Sequence, residues 1–124
     1  MIKCGIDLLR ISRLADVNPA IRARFMRRVY TETELAQAQG ENDMLSGIFT
    51  AKEAVSKALG TGIGKVAWQD IEILHAPSGE PSVFLHGVAL EVAQAKGLDE
   101  WAVSITHEGG MAAAVAVAKS ARDE

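Results

Sequence analysis

The residues best suited to chemistry gather in one stretch, Phe49-Thr-Ala-Lys-Glu-Ala-Val-Ser-Lys-Ala-Leu-Gly-Thr-Gly-Ile63. Ile48, Ala51, Val55 and Leu59 recur at helical spacing, which leaves Lys52, Glu53, Ser56 and Lys57 on a neighbouring helix face. Glu53 and Lys57 are four apart, so their side chains meet on one side. Gly60 is a natural helix stop, and Thr61, Gly62 and Gly64 continue as a glycine-rich loop. Phosphate plus a divalent cation would use all of these groups. Glu53 would hold the cation, Lys52 and Lys57 the phosphate oxygens, and the glycines would admit backbone close to the ligand. A plain surface Glu–Lys pair ahead of a helix-ending glycine accounts for the same residues without a ligand. The order is not that of a phosphate loop, because here the glycines follow the helix.

A second acid stands out. Residues 2–9 are short, apolar and β-rich, and Asp7 interrupts them. An acid there needs a hydrogen-bond donor, an arginine or a metal. His107 sits at a strand–turn junction among polar groups and reads either as a satisfied structural histidine or as a ligand contact. His75 and His86 carry no motif, and no His–Cys spacing suggests zinc. Cys4 lies in the apolar run and reads as a core residue.

The elements that must position these residues can be read in outline. After the first strand, Ser12 is the expected cap of a short helix that Pro19 ends or resets. A helix follows over residues 19–29, with Pro19 at its start and Ile21, Phe25, Met26 and Val29 on one stripe. Thr31 and Glu34 form a capping box for a helix to about residue 38. The long helix runs over about 43–59, and 60–67 is a loop. Residues 70–75 and 82–86 read as a hairpin, 88–96 as a helix closed by Gly97, and 101–107 as a strand. Residues 111–118 are alanine-rich, yet the Gly-Gly turn before them and their length favour a buried strand. The tail, 119–124, is expected to fray.

Composition narrows the class. With 124 residues, 48% apolar and 23% charged, the chain is long enough for one globular domain, taken as 1–124. Aromatics at 5% argue against a base-stacking nucleic-acid surface. One cysteine excludes an internal disulfide and fits a reducing compartment. No apolar stretch reaches membrane-spanning length and no signal-peptide pattern is present, so a cytoplasmic protein is expected. Net charge is −3, but Arg10, Arg13, Arg22, Arg24, Arg27 and Arg28 cluster with only Asp16 among them. That patch is either a solvated face or a docking surface for an acidic partner.

Gly5-Ile-Asp-Leu8, Phe49-Thr-Ala-Lys-Glu-Ala54 with its continuation to Ile63, Trp68-Gln-Asp-Ile-Glu-Ile73 and Val103-Ser-Ile-Thr-His107 together carry a resemblance over nearly the whole chain. The sequence resembles the holo-acyl-carrier-protein synthases, the short class of 4′-phosphopantetheinyl transferases. The resemblance implies transfer of 4′-phosphopantetheine from coenzyme A to a serine of an acyl carrier protein, in fatty acid or polyketide biosynthesis. It implies Mg²⁺ held by Asp7 and Glu53, with Lys57 completing the catalytic set by neutralising pyrophosphate. Lys52, Ser56, Lys57, Gly60, Thr61, Gly62 and His107 would contact the nucleotide. Arg13, Arg22, Arg24 and Arg28 would dock the acidic carrier, with Phe25 and Met26 as apolar anchors. The implied fold is α+β, an antiparallel or mixed sheet packed by the long helix and shorter ones, in a homotrimer with sites at subunit interfaces. The chain departs from the family pattern at Arg10, where an acid is usual, and at Ile48, where an arginine is usual. A Mg²⁺-dependent phosphohydrolase and a non-catalytic binder of acidic proteins are the rival readings.

Overall fold

Turn and cap residues set the element boundaries. In the computed structural model, which describes residues 1–121, the order is β1 (Ile2–Arg10), α1 (Ser12–Ala15), α2 (Pro19–Val29), α3 (Glu32–Ala38), α4 (Asn42–Leu59), a 3-10 turn (Trp68–Asp70), β2 (Ile71–His75), β3 (Pro81–Leu85), α5 (Gly87–Lys96), β4 (Glu100–Glu108) and β5 (Met111–Lys119). Asn18 accepts the Ala20 N–H ahead of Pro19, and Thr31 and Glu34 form the reciprocal capping box. Ser12 does not cap α1. It is the first helical residue, and the capping position belongs to Ile11, which makes no side-chain cap bond. Lys119 is ordered as the end of β5 rather than frayed, and residues 122–124 of the expected tail lie outside the described residues.

Both sheets are antiparallel: a three-stranded sheet in the order β1-β5-β4 and the β2–β3 hairpin. The Gly109-Gly110 turn joins β4 to β5 with φ of 56° and 77°. A two-residue hairpin turn with both residues at positive φ suits glycine, and it starts the alanine-rich segment as a strand despite alanine's helix preference.

Those alanines let α4 lie close on the sheet. Ala114, Ala116 and Ala118 are buried beneath it, and Gly5 faces it from β1. A Cβ on Gly5 would collide with the Ala54 carbonyl oxygen and come within 2.9 Å of the Ala58 nitrogen. Gly5→Ala is therefore expected to push β1 off α4 and lower stability by about 1–3 kcal/mol in urea denaturation. Leu45, Ile48, Val55 and Leu59 of α4 join Ile71, Ile73, Ala89 and Leu98 in the core.

Strand parity decides what β1 shows to each side. Gly5 and Asp7 face α4. Ile2, Cys4, Ile6 and Leu8 face outward beside Val115 and Val117 of β5. Among the described residues that outer face carries no covering element: Ile6 is 67% exposed and Leu8 61%. Cys4 is exposed on it and is not a core residue of the chain, because its parity is opposite to that of Gly5.

Candidate active site

The β1 parity that buries Gly5 also aims Asp7 at α4. There Lys57 Nζ lies 3.1 Å from Asp7 Oδ1 and donates to the Ile6 carbonyl at 2.9 Å. Glu53 stands one turn before Lys57 on the same helix. Asp7 and Glu53 line one cavity of about 330 Å³ with Arg13, Leu9, Phe25 and Phe49. Burial raises the Glu53 carboxyl above the ordinary range, the nearby Asp7 charge raises it further, and Lys57 partly offsets both. Two acids held together at such a cost form a hard, all-oxygen donor pair. A Mg²⁺ ion commonly takes one or two protein carboxylates and completes its shell with water and substrate phosphate, so the pair fits it. Among the described residues no cluster of three or more His, Cys, Asp or Glu offers a denser alternative.

Lys52 is not part of this site. Its ammonium is wholly enclosed, 2.9 Å from Glu34 Oε1, and donates to the carbonyls of Trp68 at 3.0 Å and Ile71 at 2.5 Å. Burial pushes the ammonium below its usual range and Glu34 opposes that shift. Its three donors tie α4 to α3 and to the start of β2, and none is left for a phosphate. Glu34 is equally saturated, accepting the backbone N–H groups of Thr31 and Ile73.

Ser56 is also withdrawn from solvent, with its hydroxyl donating to the Glu53 carbonyl at 2.7 Å. The N–H groups of Gly60, Thr61 and Gly62 are all spent on the carbonyls of Lys57 and Ser56. The Thr61 hydroxyl donates to the Gly62 carbonyl at 2.9 Å. The loop therefore offers open space over Gly62, not a ring of free amides. Lys96 of α5 closes the end of α4 by donating to the Leu59 carbonyl at 2.5 Å.

His107 lies at the opposite end of α4. Its Nε2 is 2.7 Å from the Asp43 carbonyl, and it packs over Gly47. Gly47 and Lys57 are ten residues apart on one helix, which separates His107 from the Lys57 ammonium by roughly 15 Å. One chain does not bring His107 to Lys57.

On α2, Arg24 and Arg28 are exposed, whereas Arg22 donates to the Leu14 carbonyl at 3.0 Å. Phe25 and Met26 do not project as anchors. They are partly buried against the core, and the Phe25 ring lies 5.5 Å from that of Phe49, which in turn stacks on Trp68 at 4.7 Å. The exposed large apolar residue of this helix is Ile21, at 52%. The i+4 spacing of Ile21 and Phe25 put both on one stripe but could not say which end of it turns outward. A larger hollow of about 890 Å³ runs along β3 and α5 past Phe84, Lys96 and Trp101, and it contains none of the predicted catalytic residues.

A 4′-phosphopantetheinyl transferase fold is the class that this architecture and carboxylate pair define, and the model of the 4′-phosphopantetheinyl transferase superfamily matches residues 3–116. The holo-[acyl-carrier-protein] synthase of Natranaerobius thermophilus is 41% identical over 120 residues, covering 94% of this chain and 96% of its own. That of Moorella thermoacetica is 41% identical over 127 residues, covering 100% and 98%. Among solved structures, Helicobacter pylori holo-[acyl-carrier-protein] synthase in complex with coenzyme A superposes with a TM-score of 0.84 at 31% identity, over 96% of this chain and 100% of that one. The Bacillus anthracis synthase in complex with CoA (3′,5′-ADP) gives 0.78 at 32% identity, over 96% of each. The chain belongs to the holo-[acyl-carrier-protein] synthase family of 4′-phosphopantetheinyl transferases.

Proposed function

We propose that the protein transfers 4′-phosphopantetheine from coenzyme A to a serine of an apo acyl carrier protein, with Mg²⁺ held by Asp7 and Glu53. The observation that carries this reading is the convergence of those two carboxylates, from β1 and α4, on one cavity beside Lys57. The bound metal would supply charge neutralisation at the pyrophosphate. The protein's own part is to hold the donor and orient the attack. Lys57 is half exposed and already bridges to Asp7, so its ammonium stands ready beside incoming phosphate oxygens. The serine oxygen bonds to the pantetheine-side phosphorus, the phosphoanhydride bond breaks, adenosine 3′,5′-bisphosphate leaves with the electron pair, and the serine proton passes to water. The test is mass spectrometry of fatty-acid and polyketide carriers after incubation with coenzyme A and Mg²⁺. Phosphopantetheine gained on the carrier serine supports transfer. Nucleotide release without any carrier would make the protein a hydrolase instead.

The site is completed by a second copy of the chain. Only a ribose separates the pyrophosphate of coenzyme A from its 3′-phosphate, too little to bridge the roughly 15 Å of helix between Gly47, against which His107 packs, and Lys57. A nucleotide touching both must take them from different chains. The uncovered apolar face of β1 and β5 supplies a surface for that assembly, a homotrimer. Ile6→Lys, at the middle of this face, is expected to convert the trimer to monomer in sedimentation and to abolish transfer. A trimeric, active Ile6→Lys protein would rule this interface out.

Carrier docking falls to the arginines of α1 and α2. Arg13 lies in the cavity wall itself, so Arg24 and Arg28 are the cleaner probes. Reversing both to Glu is expected to raise the carrier KM on the order of tenfold and to flatten its salt dependence, with coenzyme A affinity unchanged by calorimetry.

A further inference from the structure

One nitrogen of His107 is already committed. Its Nε2 lies 2.7 Å from the Asp43 carbonyl oxygen, in the first turn of α4. A carbonyl oxygen only accepts, so the proton of a neutral His107 sits on Nε2 and donates there. Nδ1 is then a bare acceptor, because the bond made by one ring nitrogen decides the state of the other. The backbone beneath protects this arrangement. A Cβ on Gly47 would come within 2.9 Å of Nε2 and of Ile105 Cγ2, so glycine is what leaves the ring its seat.

The transfer reading places the pyrophosphate of coenzyme A at Asp7, Glu53 and Lys57. The anionic group left for a His107 drawn from another copy is the 3′-phosphate. Near neutral pH its oxygens are acceptors carrying close to two negative charges. Two acceptors form no hydrogen bond, so Nδ1 must gain a proton before it can hold that phosphate. The nearby groups of its own chain permit the added charge. Asp43 and the capping residue Glu41 stand at the start of α4, and Glu108 follows His107 in β4. His75, at the end of β2, is the other imidazole here. Its Nδ1 is buried without a partner among the described residues. Burial and the charge of His107 both push the His75 imidazole toward its neutral form.

We propose that the Asp43 carbonyl fixes His107 so that it holds the 3′-phosphate only by taking up a proton at Nδ1. His107 is thereby a charge-dependent reader of that phosphate. The inference rests on the transfer reading above and deepens its donor site. The free ring carries one proton, on Nε2, and the ligand-bound ring carries two. The second comes from solvent as coenzyme A binds and returns to solvent when adenosine 3′,5′-bisphosphate departs. Adenosine 5′-monophosphate has no 3′-phosphate and calls for no such proton.

The experiment is calorimetry of adenosine 3′,5′-bisphosphate and of adenosine 5′-monophosphate, with Mg²⁺ present, at about pH 7.5 in buffers of different ionisation enthalpy. Both nucleotides carry the 5′-phosphate, so its protons cancel in the difference. The 3′-phosphate is almost fully ionised at this pH. Lysines and arginines from the adjoining copy are already protonated and add nothing to the difference. The bisphosphate is expected to take up about half a proton or more beyond the monophosphate. Its advantage in affinity should shrink by up to about tenfold per pH unit above that range. His107→Gln, which keeps an N–H donor that needs no charge, should bring the difference in uptake to zero. Equal uptake for the two nucleotides, or the same extra uptake in His107→Gln, would overturn the proposal. So would a nitrogen NMR spectrum that places the proton of the free neutral ring on Nδ1. The expected proton count in a protein that loads no carrier from coenzyme A would sink the transferase reading and leave this one standing. Binding of neither nucleotide would sink both.

Discussion

Glu53→Gln is expected to reduce transfer about 10²–10³-fold, the several kcal/mol that a bound metal contributes to a phosphoryl-transfer transition state. The same variant should fold as well as the parent or better when no metal is present. The sign follows from the shift. The Glu53 carboxyl is raised in the folded chain, so the fold binds its proton more tightly than the unfolded chain does. The stability linked to that proton is full below the unfolded value and is lost as pH rises through the folded one. At neutral pH the ionised group therefore opposes folding, and a neutral glutamine removes the conflict with Asp7. Raised thermal stability together with lost turnover separates a metal ligand from a structural acid. A metal-free Glu53→Gln protein that melts well below the parent would refute this account. In the parent, metal binding should weaken with acidification earlier than an unperturbed carboxylate would allow, as a Mg²⁺ titration across pH would show.

The largest effect on stability is expected at Lys52. Lys52→Met leaves the Glu34 carboxylate enclosed without its counter-charge and strands the Trp68 and Ile71 carbonyls. Breaking a buried pair from one side costs about 3–5 kcal/mol, against a total of about 5–15 kcal/mol for a typical domain. Adding Glu34→Gln should recover part of this by removing the stranded charge. It cannot recover all, because Glu34 also serves the Thr31 and Ile73 amides with both oxygens. A urea midpoint for Lys52→Met close to the parent's would contradict the role assigned to this pair.

The two positions also show where sequence reasoning reached its limit. Glu53 and Lys52 are neighbours of opposite charge on one helix, and periodicity placed both beside the apolar stripe without ordering them. Which one is enclosed depends on α3 and β2, which pack over Lys52, and on β1, which leaves Glu53 at a cavity. The buried partner, Glu34, was legible only as a capping residue. The capping box at Thr31, the start of α2 at Pro19 and the end of α4 at Gly60 were readable because local chemistry decides them. The strand at β5 was readable because its Gly-Gly turn outweighs alanine's helical preference. Cys4 was misplaced for a different reason. An apolar run has two faces, and only the approach of α4 to Gly5 shows which one is inside. That the amides of Gly60, Thr61 and Gly62 would be spent on the last carbonyls of α4 was not legible either, because a glycine-rich helix end reads the same whether its amides are free or used.

The strand order β1-β5-β4 has a consequence for how the catalytic centre comes into being. Asp7 rides on a strand whose one sheet neighbour among the described residues is β5, the last element of the described fold. Its orientation is therefore fixed by a pairing that closes across most of the chain, the kind of non-local contact that forms slowly. Clipping away 111–119 would remove no residue proposed for metal, nucleotide or carrier binding. It would nonetheless free the segment bearing Asp7 from its register and leave the enzyme inert.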